Sequence, residues 1–464
     1  MNRYKGTYFT SNTAKTVQPW STSEGILVND QDTTQLKKAV LKLIEGSRKY
    51  LKICSFILND MEIFEALRQK LVQEDVVLFV LTSLDPQKLS SNYLTEEEMS
   101  EESTNRHLSF ISTLYNLGGH IRAADNIHAK FIIADSSSGV IMSANLTKYS
   151  LNQNPESGIS ISNAEDIKSV EVLFEKIYLK ATDYKTFHKR DKGRSMVSSV
   201  HRTISANDFD GLEKLNLTFT YETLNNSLYQ NLISIIDNAK RYVRIGTYSI
   251  VQLSYLPELI ETLQKAKKRG VDIKFFCRAM NHRNDHRESC EKLLEMGIPI
   301  YGDLYNHAKG IATEKEGMIF TANIDGKHGL KSGFEVGLLL QRTQLEALRA
   351  FLEWQIETAP FVATQNPGQQ ELHNSEIDRL SLKNSSAPKQ PSSITLQTNS
   401  IKIQDDLRQH PIYLLYKDDS VCGVKIKEKT YSCVLNGSLL SLKKEKRFSN
   451  YPQFMLTYHN LNIT

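Results

Sequence analysis

The sequence predicts an α/β protein in which one unit is used twice, giving two repeats with mixed β-sheets related by a pseudo-twofold axis, followed by a small carboxy-terminal β-rich domain. Three observations predict this. A helix-then-strand pattern recurs in the two halves, and a short His-Ala-Lys segment recurs at matching places within them. The end of the chain alternates apolar and polar residues without helical periodicity.

The elements follow in order. In the first half a helical stretch, Leu36 to Glu45, leads into the alternating segment RKYLKICSF. In the second half LISIIDNAK leads into RYVRIGTYS, with basic and aromatic residues at matching places. Each half continues with a helix (Met61 to Val72; Leu256 to Lys268) and a second strand, VVLFVLTS or VDIKFFCRA. A further helix follows and ends at a glycine stop, LSFISTLYNLGG or ESCEKLLEMG. The segment between the halves is polar and holds the basic run HKRDKGR, which suits a linker or a loop touching substrate. A stretch rich in Gln, Asn, Ser and Pro after the second half has the composition of a tether. The boundaries are residues 1–182 for the first repeat, 183–215 for a linker, 216–363 for the second repeat, 364–393 for the tether and 394–464 for the accessory domain, whose surface would carry Lys443, Lys444, Lys446 and Arg447.

Composition narrows the function classes. A formal charge of +4 over 464 residues argues neither for a histone-like polycation nor against a local basic groove. Five cysteines, with no Cys-x-x-Cys pair, suggest neither a disulfide framework nor a zinc ribbon and point to a reducing compartment. The amino terminus shows no apolar leader and no stretch is long enough to span a bilayer, so the expectation is a cytoplasmic protein.

The informative segments are HAKFIIADSSSGVIMSANLT and HAKGIATEKEGMIFTANID. His128 and Lys130, like His307 and Lys309, stand two apart and therefore share one face of a strand. A second strand brings Ser143 and Asn145, or Thr321 and Asn323, in the same relation, and a glutamate follows, Glu156 or Glu335. His to Glu is 28 positions in both copies, while His to Asn is 17 in one and 16 in the other, a difference of one loop residue. A lone His-Ala-Lys is most often an exposed strand; its recurrence with Asn and Glu partners in register is not.

On these residues the chain resembles the phospholipase D superfamily, whose signature is His-x-Lys, a Ser/Thr-x-Asn pair and a downstream Glu. The resemblance covers about Leu36 to Leu340. The ANLT ending and the missing export signal are most like the nuclease branch. The resemblance implies one active site built from both repeats within one chain, with His128 as nucleophile and His307 as general acid. The superfamily often places an Asp five residues after the Lys. Asp135 fits, but Glu314 stands in the second copy, which implies a weakened secondary contact there.

The chemistry is coherent without the family. Anionic oxygens make a phosphodiester a poor electrophile, so a site needs cations and donors: Lys130, Lys309, Asn145 and Asn323. Two histidines divide the work, one attacking phosphorus and one protonating the leaving oxygen. A nucleophilic imidazole needs its other nitrogen pinned by an acceptor, a task for Glu156 and Glu335. This scheme requires neither a metal nor a cofactor.

Three function classes follow. The first is a nuclease with nucleic acid as partner. The second is a phospholipase or phosphatidyltransferase. The third is a phosphate-binding scaffold serving a helicase or ATPase partner in a nucleic-acid-processing or defence complex. Substrate phosphates would be held by Arg278, Arg283 and Arg287 in the loop CRAMNHRNDHRE, with Lys189, Arg190, Lys192 and Arg194 from between the repeats. His282 and His286 in that loop have no evident further partners for a zinc site. The counterpart loop in repeat one, DPQKLSSNYLTEEEMSEESTNR, is acidic and suits a lid or a partner surface. Tyr8, Phe9 and Trp20 read as packing more than as base-stacking residues.

Overall fold

The computed structural model describes residues 4–12, 25–29, 33–73, 76–84, 101–189, 195–212 and 216–368, together with residue 371 and parts of 394–463. Residues Met1–Gln369 form one compact unit and Gln370–Thr464 a second.

The two repeats are built alike because their helices bury the same pattern. Leu36, Val40, Leu43 and Ile44 line one face of the helix Gln35–Gly46, and Leu228, Leu232, Ile235 and Ile236 line one face of Ser227–Asn238. Each helix feeds a central strand, Tyr50–Cys54 or Tyr242–Gly246. On one side of it two strands run parallel: Val77–Thr82 and His120–Ala123 in the first repeat, Asp272–Arg278 and Ile300–Asp303 in the second. On the other side the neighbours are antiparallel. In the first repeat these are Phe131–Ala134, Ser138–Met142, Glu156–Ile161 and Leu27–Asn29. In the second they are Gly310–Thr313, Gly317–Phe320, Phe334–Leu339 and Leu217–Tyr221. The shared seven-strand order sits within sheets of nine and ten strands.

One apolar cluster joins the repeats. Ile133, Ile141 and Ile159 from the first sheet pack with Ile319, Val336 and Leu338 from the second, and with Phe174 and Phe351 from the helices Ala164–Lys180 and Arg342–Thr358. The strand carrying Glu156 approaches its neighbours so closely that a Cβ on Gly158 would lie 2.5 Å from Leu36 and 2.9 Å from the Ile141 carbonyl.

The outer strands revise the boundaries drawn from sequence. Thr7–Ser11 pairs with Phe361–Gln365 on the edge of the second sheet, so the span 1–182 is not self-contained and the tether cannot begin at 364. Tyr184–Lys189 and Ser195–Ser199 form a hairpin on the edge of the first sheet, where a linker was expected at 183–215. In each case short polar alternation gives little strand signal, and an open sheet edge supplies the missing backbone partners. Phe9 is buried flat against His286, the packing role expected of it, and the Arg287 guanidinium lies 4.3 Å from the Tyr8 ring centre. Trp20 and Arg190, Lys192 and Arg194 lie outside the described residues, as do residues 85–100 of the acidic loop. That loop's end, Glu101 to Arg106, is already the start of the helix Glu101–Asn116.

The second unit is a seven-stranded sheet. Ile412–Lys417, Ser420–Ile426, Lys429–Asn436 and Leu439–Glu445 form an antiparallel meander over Leu396, Leu414, Val424 and Leu440. Its β-rich character is the one read from sequence; Lys446 and Arg447 lie outside the described residues.

Asp135 and Glu314 act at the turn before each central strand. The Asp135 carboxylate accepts from the backbone N–H of Arg48 at 2.6 Å and of Lys49 and Tyr50 at 2.8 Å. Glu314 accepts from those of Lys240 at 2.8 Å and Arg241 at 3.3 Å. The acids therefore brace the fold in both repeats, and Glu314, whose contacts run to 3.3 Å and, at the Tyr242 N–H, to 3.5 Å, makes the weaker set expected of it. Burial opposes their charge, but the backbone donors outweigh it and hold both carboxyls below their usual range. Asp135→Ala is expected to destabilise the folded protein by about 1–2 kcal/mol, the group being partly exposed. Chemical denaturation measures the loss, and an unchanged midpoint would contradict the bracing role.

Candidate active site

Side-chain alternation in the strands sets the site, and two crossed pairs close it. His128 Nδ1 lies 2.6 Å from Glu335 Oε1, and His307 Nδ1 lies 2.7 Å from Glu156 Oε1. Each glutamate thus holds the histidine of the other repeat. The backbone is crossed in the same way: His128 N–H donates to Phe334 O at 3.0 Å and His307 N–H to Pro155 O at 2.8 Å.

The hydroxyl residues hold the glutamates. Ser143 Oγ donates to the second carboxylate oxygen of Glu156 and accepts from Ser157 N–H at 2.9 Å. Thr321 Oγ1 does the same for Glu335, accepting from Val336 N–H at 3.0 Å. Lys130 and Lys309 are fully buried and donate to the carbonyls of His128 and His307, the latter at 2.8 Å. Each ammonium is therefore anchored on the backbone of its own repeat's histidine. Asn145 is buried. Asn323 lines a cavity of about 500 Å³ that also exposes His128, Glu335, Phe56, Arg283 and Asp285.

Burial also sets the protonation states. It pulls His128 below the ordinary histidine value, the Glu335 charge opposing it only in part. Burial would raise Glu335 too, but the pairing with His128, Lys130 and the Thr321 hydroxyl holds its carboxyl low. We therefore assign a neutral His128, protonated on Nδ1, to an ionised Glu335. Glu156 differs: burial pushes it up to about 7 against Lys309 and Ser143. Of the two glutamates, Glu156 is accordingly the one poised to hold a proton near neutrality.

The predicted arginines are not gathered into one groove. Arg278 is buried, with its guanidinium 5.7 Å from the Tyr248 ring centre. Arg287 turns to Tyr8 and Asn284, and only Arg283 reaches the cavity, paired with Asp285 at 2.9 Å. Arg278 closes the strand Asp272–Arg278, within the segment VDIKFFCRA read as a strand, and its side chain is buried and not part of the cavity wall.

Several contacts escaped the sequence reading. Tyr248 stands edge-on to His307 with ring centres 5.2 Å apart, and Phe56 holds the matching place 6.2 Å from His128. The endings ICSF and IGTY of the central-strand segments carried that signal. Ser157 Oγ accepts from Lys309 N–H and donates to Lys309 O, both at 3.1 Å. The segment between Gly326 and Gly333 brings Lys327 to 4.9 Å from the Tyr255 ring centre, next to His328 and Gly329 of the cavity wall.

The family model described as "Cardiolipin synthase, PLD-like domain" matches residues 40–178 and 232–354, more than half of the chain. The chain belongs to the phospholipase D superfamily, whose chemistry is phosphodiester hydrolysis or transfer. No curated protein matches it by sequence. Among solved structures it is similar to phosphatidylserine synthase of Haemophilus influenzae, with a TM-score of 0.53 and 13% identity over 78% of this chain and 93% of that one. That likeness is one of fold. Polyphosphate kinase from Porphyromonas gingivalis gives a TM-score of 0.47 at 13% identity over 71% and 46% of the two chains. Nuc from Salmonella typhimurium, a phospholipase D family member, gives 0.26 at 23% identity over 30% and 91%.

The crossed pairing is testable without turnover. In histidine-selective ¹⁵N NMR, Glu335→Gln is expected to lower the pKa of His128, because it removes the charge that favours the imidazolium, and to leave His307 unmoved. Glu156→Gln should perturb His307 alone. A variant that shifts the histidine of its own repeat instead would refute the exchange.

Proposed function

We propose that the chain hydrolyses phosphodiesters of nucleic acid through a covalent phosphohistidine, without a catalytic metal. The observation that carries this reading is the pair of crossed His–Glu contacts, which fixes Nδ1 of each imidazole and so assigns the reaction to Nε2.

His128, neutral and pinned by an ionised Glu335, is the nucleophile. Its Nε2 attacks phosphorus as the bond to the leaving oxygen breaks, and His307 gives that oxygen a proton. His307 then takes a proton from water, the resulting hydroxide attacks phosphorus, and the N–P bond breaks to restore His128. Lys130, Lys309, Asn145 and Asn323 would offset the charge on the non-bridging oxygens.

The cavity rim supports nucleic acid as the substrate class. Tyr255 is 54% exposed beside Lys327, a pairing suited to a base stacked next to a bound phosphate. Three acids of the cavity are compensated. Asp285 pairs with Arg283, Glu222 lies 3.4 Å from Arg202, and Asp325 accepts from the backbone N–H of Lys327 at 2.8 Å and His328 at 3.0 Å. All five cysteines are free thiols, as suits the cytoplasm. Among the described residues, no helix is long and apolar enough to cross a membrane.

His307→Ala is expected to lower kcat by about 10²–10⁴-fold and to let a labelled phosphoryl adduct accumulate on His128. An adduct trapped on His307 in the His128→Ala protein would reverse the two roles. The pH profile should be bell-shaped. Its acid limb lies below the ordinary histidine value, because burial keeps His128 unprotonated there, and its alkaline limb follows loss of the proton at Glu156, whose carboxyl burial pushes up to about 7.

For the substrate, Lys327→Ala should flatten the salt dependence of single-strand binding by about one unit of slope. An unchanged slope would remove Lys327 from the binding surface. A wild-type chain that ignores nucleic acid but cleaves anionic lipid vesicles would replace the nuclease reading with the phospholipase one.

A further inference from the structure

We infer that Cys277, His286 and Cys290 form a buried binding site for a thiophilic closed-shell metal ion, zinc or copper(I), separate from the histidine–lysine site. Cys277 stands near the end of the strand Asp272–Arg278. His286 and Cys290 lie one turn apart on the helix Asn284–Glu295 and face the same way. All three side chains are fully buried.

The distances are those of a site waiting to close. His286 Nε2 is 3.8 Å from Cys277 Sγ and 3.7 Å from Cys290 Sγ, and the three donor atoms lie within 4.8 Å of one another. Tetrahedral zinc with Zn–S near 2.3 Å and Zn–N near 2.0–2.1 Å puts sulfur and nitrogen about 3.5–3.6 Å apart. The two sulfur–nitrogen separations therefore need shifts of only about 0.2 Å. Two thiolates and an imidazole select soft or borderline ions over calcium and magnesium. As a three-donor set it suits trigonal copper(I), or zinc completed by a fourth ligand.

The surroundings aim the histidine. Its Nδ1 lies 3.1 Å from the Ile250 N–H and 3.0 Å from the Ile250 carbonyl, so one residue holds the ring in either tautomer with Nε2 facing the sulfurs, and metal binding would select the tautomer protonated on Nδ1. The ring lies flat on Phe9, with centres 5.7 Å apart and planes 7° apart. Phe9 is itself held at both backbone groups by Asn281, at 2.7 and 2.9 Å.

The first repeat supplies an internal control. There His107 takes the same place, with Nδ1 3.0 Å from the Leu58 N–H and Nε2 2.9 Å from the Ser83 carbonyl. Pairing of Cys54 with Leu81 and of Gly246 with Phe276 aligns Thr82 with Cys277, and helical spacing aligns Ile111 with Cys290. A histidine tying the loop after the central strand to this helix is therefore common to both repeats and needs no thiols. Only the second repeat replaces the carbonyl opposite Nε2 with two sulfurs. A bound ion would staple the strand end to a helix whose first turn carries Asp285 of the cavity wall. Binding would release the two thiol protons.

The full chain, produced with added zinc or, separately, with copper under reducing conditions and purified without chelator, is expected to carry one equivalent of metal by mass spectrometry. Whichever metal is retained identifies the ion. The variant Cys277→Thr/Cys290→Ile, which installs the residues of the first repeat, is expected to lose at least tenfold of that metal. Should the variant not fold, the wild-type chain still decides the matter. Cobalt(II) should give a thiolate-to-metal charge-transfer band, and zinc or copper(I) should raise Tm. A wild-type chain with no metal, no such band and no Tm response would overturn the site, as would full metal retention by the folded double variant. Neither outcome bears on phosphodiester cleavage.

Discussion

The exchange of glutamates between repeats is the constraint from which the rest of the fold follows. Each imidazole is buried, and a buried ionisable group needs a partner of suitable charge. Here that partner comes from the other sheet: Glu335 for His128 and Glu156 for His307. Removing one member of such a pair typically costs about 3–5 kcal/mol, because the other stays buried without compensation. Neither repeat can present a satisfied site alone, so the two sheets must share one apolar core. The cluster running from Ile141 and Ile159 to Ile319 and Val336 is that core.

The duplicated plan also tolerates difference where the chemistry asks for it. Both repeats hold histidine, lysine, asparagine and a hydroxyl residue in the same relation, but their protonation differs. Pairing dominates at Glu335 and keeps it ionised, while burial dominates at Glu156 and pushes it up to about 7. Phe56 and Tyr248 make a similar contrast, an apolar wall against one that can donate a hydrogen bond. A pseudo-symmetric site thus gains two unlike ends, which suits a reaction needing a base on one side of phosphorus and an acid on the other.

The second repeat carries a further asymmetry in Cys277, His286 and Cys290. His107 shows what such a histidine does when surrounded by backbone alone: it ties a loop to a helix through two main-chain contacts. The metal site inferred in the second half would use the same position with different neighbours. It lies among the residues that bury Phe9, so the amino-terminal strand and this helix are held in one packing unit.

The sequence by itself determined the repeat, the class of each sheet and the identity of the paired motifs. Those rest on local periodicity and fixed spacing, as in the 28 positions from His128 to Glu156 and from His307 to Glu335. It did not determine partners. His128 and Glu335 are 207 positions apart, and nothing in spacing says which glutamate meets which histidine. Arg278 was read as a groove residue from its charge and its place beside the loop; its strand position was legible, but only the folded sheet shows its side chain buried. Cys277 looked unrelated to His286 for the same reason, since a strand end and the next helix meet only after the sheet is formed. The edge strands Thr7–Ser11 and Tyr184–Lys189 were settled only by tertiary structure, because their pairing depends on where an unfilled row of backbone donors and acceptors lies.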